Sequence, residues 1–297
     1  MRRFGAPLTG LVLALLMVGC SPREAAGPPP AESDPRPLSG VLTTSATGTT
    51  RLRAAEERAV AACMARRGFA YEPERTAADA RAATTNPYGL LREETTRQDG
   101  YGAVGAVLGT PPATRRASGA PGHPRKWSDA LLGTRERKLR LAGGRVLVYR
   151  PDGCAHQARE RAYGKGWDAL QGRLEALQAT VMDEVAKDSG YRTALTAWSA
   201  CMADSGHAYT DLQAPREEIG AAIRRARGSA DRLRDVGREE LETAWTDYSC
   251  ERTARLHEAV SEAQRRVEGR LLDGGDRQAV RQYRRLKQAA LARHPGT

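Results

Sequence analysis

Apolar residues are arranged along this chain in two ways. Near the start they form one unbroken run, Leu11 to Val18, behind a short cationic segment holding Arg2 and Arg3. A spanning helix needs roughly 20 apolar residues, so this run is too short to cross a bilayer and has the layout of a secretory signal peptide. Further along, apolar positions recur at helical spacing. Leu52, Ala55, Ala59, Ala62 and Cys63 fall near one face of residues 51–67, and Gly68 supplies a helix stop. Leu170, Leu174, Leu177, Val181 and Val185 mark a second amphipathic helix, and Leu241, Trp245, Tyr248, Leu256, Val260, Ala263, Val267 and Leu271 continue the habit in a long later segment. Residues 73–126 are rich in Gly, Pro and Thr and read as loops with one short helix near 90–97. Lys138-Leu139-Arg140-Leu141, a turn at Ala142-Gly143-Gly144 and then Arg145-Val146-Leu147-Val148-Tyr149 predict a small hairpin over 138–149, and Asp152 is placed to cap a helix starting at Gly153. The fold class this predicts is mostly α, a helical bundle carrying one small β-hairpin.

The end of the apolar run, Met17-Val18-Gly19-Cys20, resembles the lipobox of bacterial lipoproteins. That resemblance implies cleavage after residue 19, a diacylglyceryl group on Cys20, and residence at the extracytoplasmic face of the cell membrane, with the membrane as a partner through lipidated Cys20. Met17 stands where the lipobox usually has Leu. Each buried CH₂ contributes about 0.8 kcal/mol, so two acyl chains anchor stably where one holds only marginally. Residues 20–50 carry Pro28-Pro29-Pro30 and a Thr-rich stretch, and few apolar groups offset their ordering entropy. They are expected to form a disordered tether, on the order of 30 Å across as a flexible coil.

Beyond the tether the chain repeats itself. Cys63-Met64-Ala65, then Gly68, then Tyr71, is matched at identical spacing by Cys201-Met202-Ala203, Gly206 and Tyr209. A looser match sets Asp152-Gly153-Cys154 against Asp247-Tyr248-Ser249-Cys250. Two related helical units are therefore expected, over 51–165 and 166–297. With Cys20 used for lipid, four cysteines remain, and four cysteines outside the cytoplasm usually form two disulfides by one of three connectivities. If each unit closes on itself, Cys63 pairs with Cys154 and Cys201 with Cys250. Each bridge then closes a loop of roughly 50 to 90 residues, worth about 4 kcal/mol in the chain-entropy model. The four are scattered with no Cys-x-x-Cys, which argues against a zinc ribbon.

Composition adds a surface to this picture. Arg far outnumbers Lys, Ala is abundant, and Ile219 and Ile223 are the only isoleucines, a usage typical of high-GC genomes. The chain as a whole resembles uncharacterised actinobacterial lipoproteins, a resemblance that implies no activity. The formal charge is +11, and loss of the signal segment removes Arg2 and Arg3 from it. Basic proteins often bind nucleic acid, but an exported, tethered one meets anionic lipid or wall polymer instead. Over 277–293 the chain carries Arg277, Arg281, Arg284, Arg285, Lys287 and Arg293 without an acidic residue, beside Val280, Tyr283, Leu286 and Ala290 at helical spacing. A basic amphipathic helix of this kind suits an anionic surface.

Recognisable chemistry is sparse. No His-Glu-x-x-His, Gly-x-Ser-x-Gly or phosphate-cradling loop occurs, so no catalytic residue, metal ligand or cofactor is assigned. The remaining candidates are His156 and His207 near two of the cysteines, Asp152 and Asp247 as a carboxylate pair, and Tyr88-Gly89 and Tyr101-Gly102 as walls of a groove. Trp127, Trp167, Trp198 and Trp245 read as core. The favoured function is a non-enzymatic envelope protein that binds a partner or an anionic surface. The alternative is an envelope hydrolase, to be recognised by a cleft that gathers His156 or His207 with Asp152 or Asp247.

Overall fold

A computed structural model describes residues 34–74, 85–109, 124–140, 144 and 146–295. The signal segment, Cys20, residues 21–33 of the expected tether and positions 142 and 143 of the hairpin turn lie outside the described residues. Within them are eleven α-helices and one two-stranded antiparallel hairpin, and residues Ser33–Thr297 form one compact unit. No described helix is long and apolar enough to cross a membrane.

The first helix, α1 (Ala46–Arg66), starts at Ser45, whose hydroxyl accepts the Gly48 N–H (3.1 Å). Two seven-residue helices follow, α2 (Glu93–Asp99) and α3 (Ala103–Gly109), then α4 (Pro124–Leu132). Strands β1 (Arg137–Arg140) and β2 (Val146–Tyr149) pair with Leu139 opposite Leu147, close to the expected hairpin. The remaining chain is helical: α5 (Cys154–Tyr163), α6 (Trp167–Ala186), α7 (Ser189–Asp204), α8 (Ala214–Ala226), α9 (Ala230–Thr253), α10 (Leu256–Leu271) and α11 (Gly274–Arg293). Asp188 caps α7 through the Gly190 N–H and is clasped by Arg266 of α10, whose guanidinium holds its carboxyl below the usual range. Asp273 and Asp276 form a capping box at α11, and Asp276 also accepts from Arg173 of α6 (2.8 Å).

Four expectations need correction. Residues 34–50 are not part of a disordered tether. Leu38 and Val41 are buried, the Leu38 N–H donates to Glu268 (2.8 Å), and α1 begins at residue 46. The prolines of this stretch masked three apolar residues, Leu38, Val41 and Leu42, which join the main core. The boundary at 165/166 is not a packing boundary either. Trp167 stacks between Tyr163 (4.8 Å) and Tyr283 (4.3 Å), and a single core draws on α1, α5, α6, α10 and α11. Asp152 does not cap α5: Gly153 is its N-cap, and the Asp152 carboxylate instead accepts the Thr134 and Arg135 N–H groups, which lowers its pKa to about 2. The long stripe through Leu241 is two helices broken at Ala254–Arg255, and Leu241 itself is exposed.

Both expected disulfides form, Cys63–Cys154 between α1 and α5 and Cys201–Cys250 between α7 and α9. The helix ends beside them have the same local geometry. After α1 the Gly68 N–H donates to Ala65 O and the Phe69 N–H to Met64 O; after α7 the Gly206 N–H donates to Ala203 O and the His207 N–H to Met202 O. This is the Schellman closure, which requires a left-handed residue, and Gly68 (φ +77°) and Gly206 (φ +91°) supply it. Met64 and Met202 are fully buried at these ends.

Replacing Cys201 and Cys250 together by Ala is expected to lower the unfolding free energy by about 4 kcal/mol in guanidinium titrations, and the Cys63/Cys154 pair by about 0.5 kcal/mol more because its loop is longer. A loss below about 1 kcal/mol for both pairs would show that the helices hold together without the cross-links.

Candidate functional site

The buried face of α9 is written largely in polar residues. Val236, Glu240, Thr243, Ala244, Asp247, Tyr248, Cys250 and Glu251 share one helical face, and Glu240, Asp247 and Glu251 are almost wholly buried. Each carboxylate serves a different neighbour. Glu240 accepts the Ala103 (2.6 Å) and Val104 (2.9 Å) N–H groups at the start of α3. Asp247 accepts the indole N–H of Trp198 in α7 (2.8 Å) and the hydroxyl of Tyr101 (2.9 Å). Glu251 Oε2 accepts the Leu91 N–H (2.9 Å) and lies 2.9 Å from His257 Nε2 in the first turn of α10. Among the described residues Glu251 Oε1 has no hydrogen-bond partner. Arg216 lies over the Tyr101 ring (4.7 Å) and donates to Leu212 O and Gly89 O.

Burial governs the electrostatics of this network. Desolvation, reinforced by the charge of Glu251, pushes Asp247 up to about 7 against the pull of Arg216, Trp198 and Tyr101. Glu251 is raised by the same desolvation, and hydrogen bonds from His257 and Leu91 oppose it. Burial also raises Tyr101, which stays a neutral donor. Leu91, Tyr101 and Arg216 line a cleft of about 80 Å³, yet Asp247 and Glu251 are 0% exposed behind it. The network can take up protons as the pH falls, and it joins α2, α3, α7 and α10 to α9.

A larger concavity, about 350 Å³, lies between β2 and the helices α5 and α6. Leu132, Leu147, Val148 and Tyr149 form its apolar wall, and His156, Arg159, Asp168, Gln171 and Glu175 its polar one. Asp168, Gln171, Gly172 and Glu175 are one stripe of α6 at spacings of three, one and three. The His156 Nδ1–H donates to Asp168 (2.9 Å), Arg159 lies 3.6 Å from the same carboxylate, and Tyr149 packs on the imidazole ring (5.2 Å).

The structure pairs the expected histidines differently from the sequence reading. His156 meets Asp168 and not Asp152 or Asp247, and His207 stacks on Tyr209 (5.6 Å) in the loop after α7. Asp152 and Asp247 have separate partners and form no carboxylate pair. Tyr101 lines the smaller cleft, whereas the Tyr88 hydroxyl donates to Gln264. Trp167 and Trp198 are buried; Trp127 and Trp245 are half-buried, the latter beneath Arg97 (4.1 Å). Of the basic residues on α11, Arg277, Arg281, Arg284, Arg285 and Arg293 are exposed. Lys287 is corrected: its ammonium donates to Val41 O (2.5 Å) and Thr43 O (2.6 Å), and burial lowers its pKa. Arg277 donates to Leu272 O at the head of the helix. Sequence reasoning missed Asp168, Glu240, Glu251, His257 and Arg216. The signal for the acidic ones was available: Glu240, Asp247 and Glu251 share one helical face.

A carboxyl whose folded-state pKa lies above its unfolded value binds more protons when folded, so its contribution to stability falls as pH rises between the two. For Asp247 that window runs from about 4 to about 7, and Glu251 acts in the same direction. Urea unfolding at constant ionic strength is therefore expected to show stability decreasing from about pH 4 to about pH 7, with a shallower decrease in Asp247→Asn. The same slope in wild type and variant would remove Asp247 as its source.

No protein-family model, curated protein or solved structure matches the chain, so a functional reading has to come from its own residues.

Proposed function

We propose that the chain is an exported lipoprotein, held at the extracytoplasmic face of the membrane by acyl chains on Cys20, whose folded part acts by binding and lies with α11 against anionic headgroups. The observation that carries this reading is the position of the basic face. The first described residues downstream of Cys20 sit on Asn86 and α10, where Asn86 donates to Asp34 and Pro35 O and Gln264 donates to Arg36 O. The chain then reaches α11: Lys287 bonds Val41 and Thr43, and Arg51 donates to Leu291 O and His294 O (2.6 Å each). Soon after it enters the fold, the chain downstream of the anchor thus packs on the helix that exposes Arg281, Arg284 and Arg285. Cys20 precedes Asp34 by fourteen positions, which limits the reach of the intervening chain to about 50 Å. Each basic residue near an anionic surface adds about 1 kcal/mol, and lipid plus a basic patch is a recognised two-signal anchor.

Two further observations favour this reading. Two disulfides suit an oxidising compartment outside the cytosol. Asp247 and Glu251, both with raised pKa, are sealed inside α9's packing and tie helices together, which is a structural duty. The matched Schellman ends, with a buried Met and a disulfide at each, support descent of 51–165 and 166–297 from one duplicated unit, now merged into a common core.

Mass spectrometry of the protein from its native membrane is expected to find Cys20 lipidated at the mature N-terminus; an unmodified Cys20 would sink the anchor. In a Cys20→Ser chain, which cannot be acylated, reversal of Arg281, Arg284 and Arg285 to Glu is expected to weaken binding to phosphatidylglycerol vesicles on the order of 100-fold. Equal binding by both chains would leave the basic face without a membrane role.

A further inference from the structure

Four consecutive residues, Leu147, Val148, Tyr149 and Arg150, line the 350 Å³ trough, and no residue of β1 does. Side chains of a strand alternate between its two faces, so a run of consecutive lining residues means that the trough lies along the strand's edge. It is the edge turned away from β1. Among the described residues, Val146–Tyr149 make no hydrogen bonds other than those of the β1 pairing. The outward N–H and C=O groups of β2 therefore open into a groove floored by α6. An unpaired apolar edge is a template for another strand, and proteins that keep their edges solitary blunt them with charge, proline or a bulge. β2 reads Val-Leu-Val-Tyr and has none of these, and Val146 and Val148 are each 49% exposed.

The charge on the outward face of the hairpin selects the occupant. Lys138, Arg140 and Arg150 stand there against one acid, Glu136, which pairs with Lys138 (3.4 Å) and Arg150 (3.8 Å), whereas Asp168 and Glu175 lie in the trough on α6. A strand added beside β2 would lie about 4.8 Å from it and about 10 Å from β1, within roughly one Debye length of those cations. A second copy of this chain would oppose like charges across the new pairing. We propose that the β2 edge is a docking site for an extended segment of another protein in which acidic and apolar residues alternate. Its backbone extends the hairpin to three strands. Its apolar side chains point inward beside Leu147, Tyr149 and Leu132, and its acidic ones point outward on the face that carries Lys138 and Arg140. Main-chain pairing supplies the affinity and the alternate side chains supply the selectivity.

The test uses the full-length protein in non-ionic detergent and a fluorescent hexapeptide alternating aspartate and valine, followed by anisotropy and by hydrogen exchange at the β2 amides. Expected are saturable, salt-sensitive binding and slowed exchange over Val146–Tyr149. The fully N-methylated peptide, which keeps the side chains and has no N–H to donate, should bind on the order of tenfold more weakly or not at all, and so should a lysine–valine hexapeptide. The Lys138→Glu, Arg140→Glu chain should lose affinity for the acidic peptide and gain it for the lysine one, a reversal that simple unfolding of the hairpin would not give. Equal binding of the N-methylated peptide would overturn strand addition, and equal binding of the lysine peptide would overturn the charge rule. No binding of any peptide, with phosphatidylglycerol vesicles sensitive to the same charge reversal, would make the hairpin a membrane contact and the proposal wrong.

Discussion

Three buried carboxylates on one face of α9 hold the irregular half of this molecule in place. Residues 85–109 contain only α2 and α3, seven residues each, well below the 12–15 at which an isolated helix becomes even marginal. They are ordered because their backbone finds acceptors on α9: Glu240 takes two N–H groups at the start of α3, Glu251 takes the Leu91 N–H ahead of α2, and Asp247 takes the Tyr101 hydroxyl between them. Hydrogen bonds to a charged group contribute about 1.5–3 kcal/mol each, while moving a carboxylate out of water costs several. The raised pKa of Asp247 shows desolvation exceeding its hydrogen bonds. Such a network adds little net stability and much specificity, because each acceptor fits one segment in one register.

The disulfides constrain the other half in a complementary way. Around Cys63–Cys154 a small cluster of Val60, Met64, Ala130 and Ala158 joins α1, α4 and α5. Cys154 is the first residue of α5, and two residues earlier Asp152 fastens the hairpin's exit to its entry at Thr134 and Arg135. The trough wall and its floor thus share one short cross-linked stretch of chain. The His156–Asp168 hydrogen bond then fixes the start of α5 on α6. A hairpin of two strands is marginal alone, and here both ends of it are anchored to covalently tied helices.

What could be read from the sequence follows from which physical signals are local. The cysteine pairing was legible because an identical Cys-Met-Ala, Gly, Tyr spacing marks two helix ends, and a Schellman stop depends on a glycine only a few residues away. The hairpin was legible from two short runs of strand-forming residues on either side of a Gly-Gly turn. The packing of Leu38 and Val41 was not, since their partners, Glu268 and the core on α6 and α11, lie more than a hundred residues away and prolines suggested an open chain. The buried face of α9 was misread by one position. Leu241 and Trp245 looked like its apolar stripe, whereas the chain buries Glu240 and Thr243/Ala244 beside them and leaves Leu241 in solvent. Hydropathy cannot find a face whose burial is decided by hydrogen-bond acceptors. Lys287 failed similarly: its neighbours in sequence are solvated arginines, and only the arrival of residues 41–43 encloses it.

The two surfaces argued for above are separated by the length of α5. Its C-terminal end meets α11, where Arg293 donates to Ala162 O and Leu286 closes on Gly164, and its N-terminal end carries Cys154 and His156 at the trough. Ten helical residues span about 15 Å, roughly two Debye lengths at physiological ionic strength. The fields of the two basic regions are therefore nearly independent, and one can be neutralised without discharging the other. A protein pressed to headgroups through Arg281, Arg284 and Arg285 would keep the cations around β2 available for a different anion. On these two proposals one chain would be held at a surface and still present an unpaired strand edge, with the spacing of α5 between disulfide and C-terminal helix separating the two.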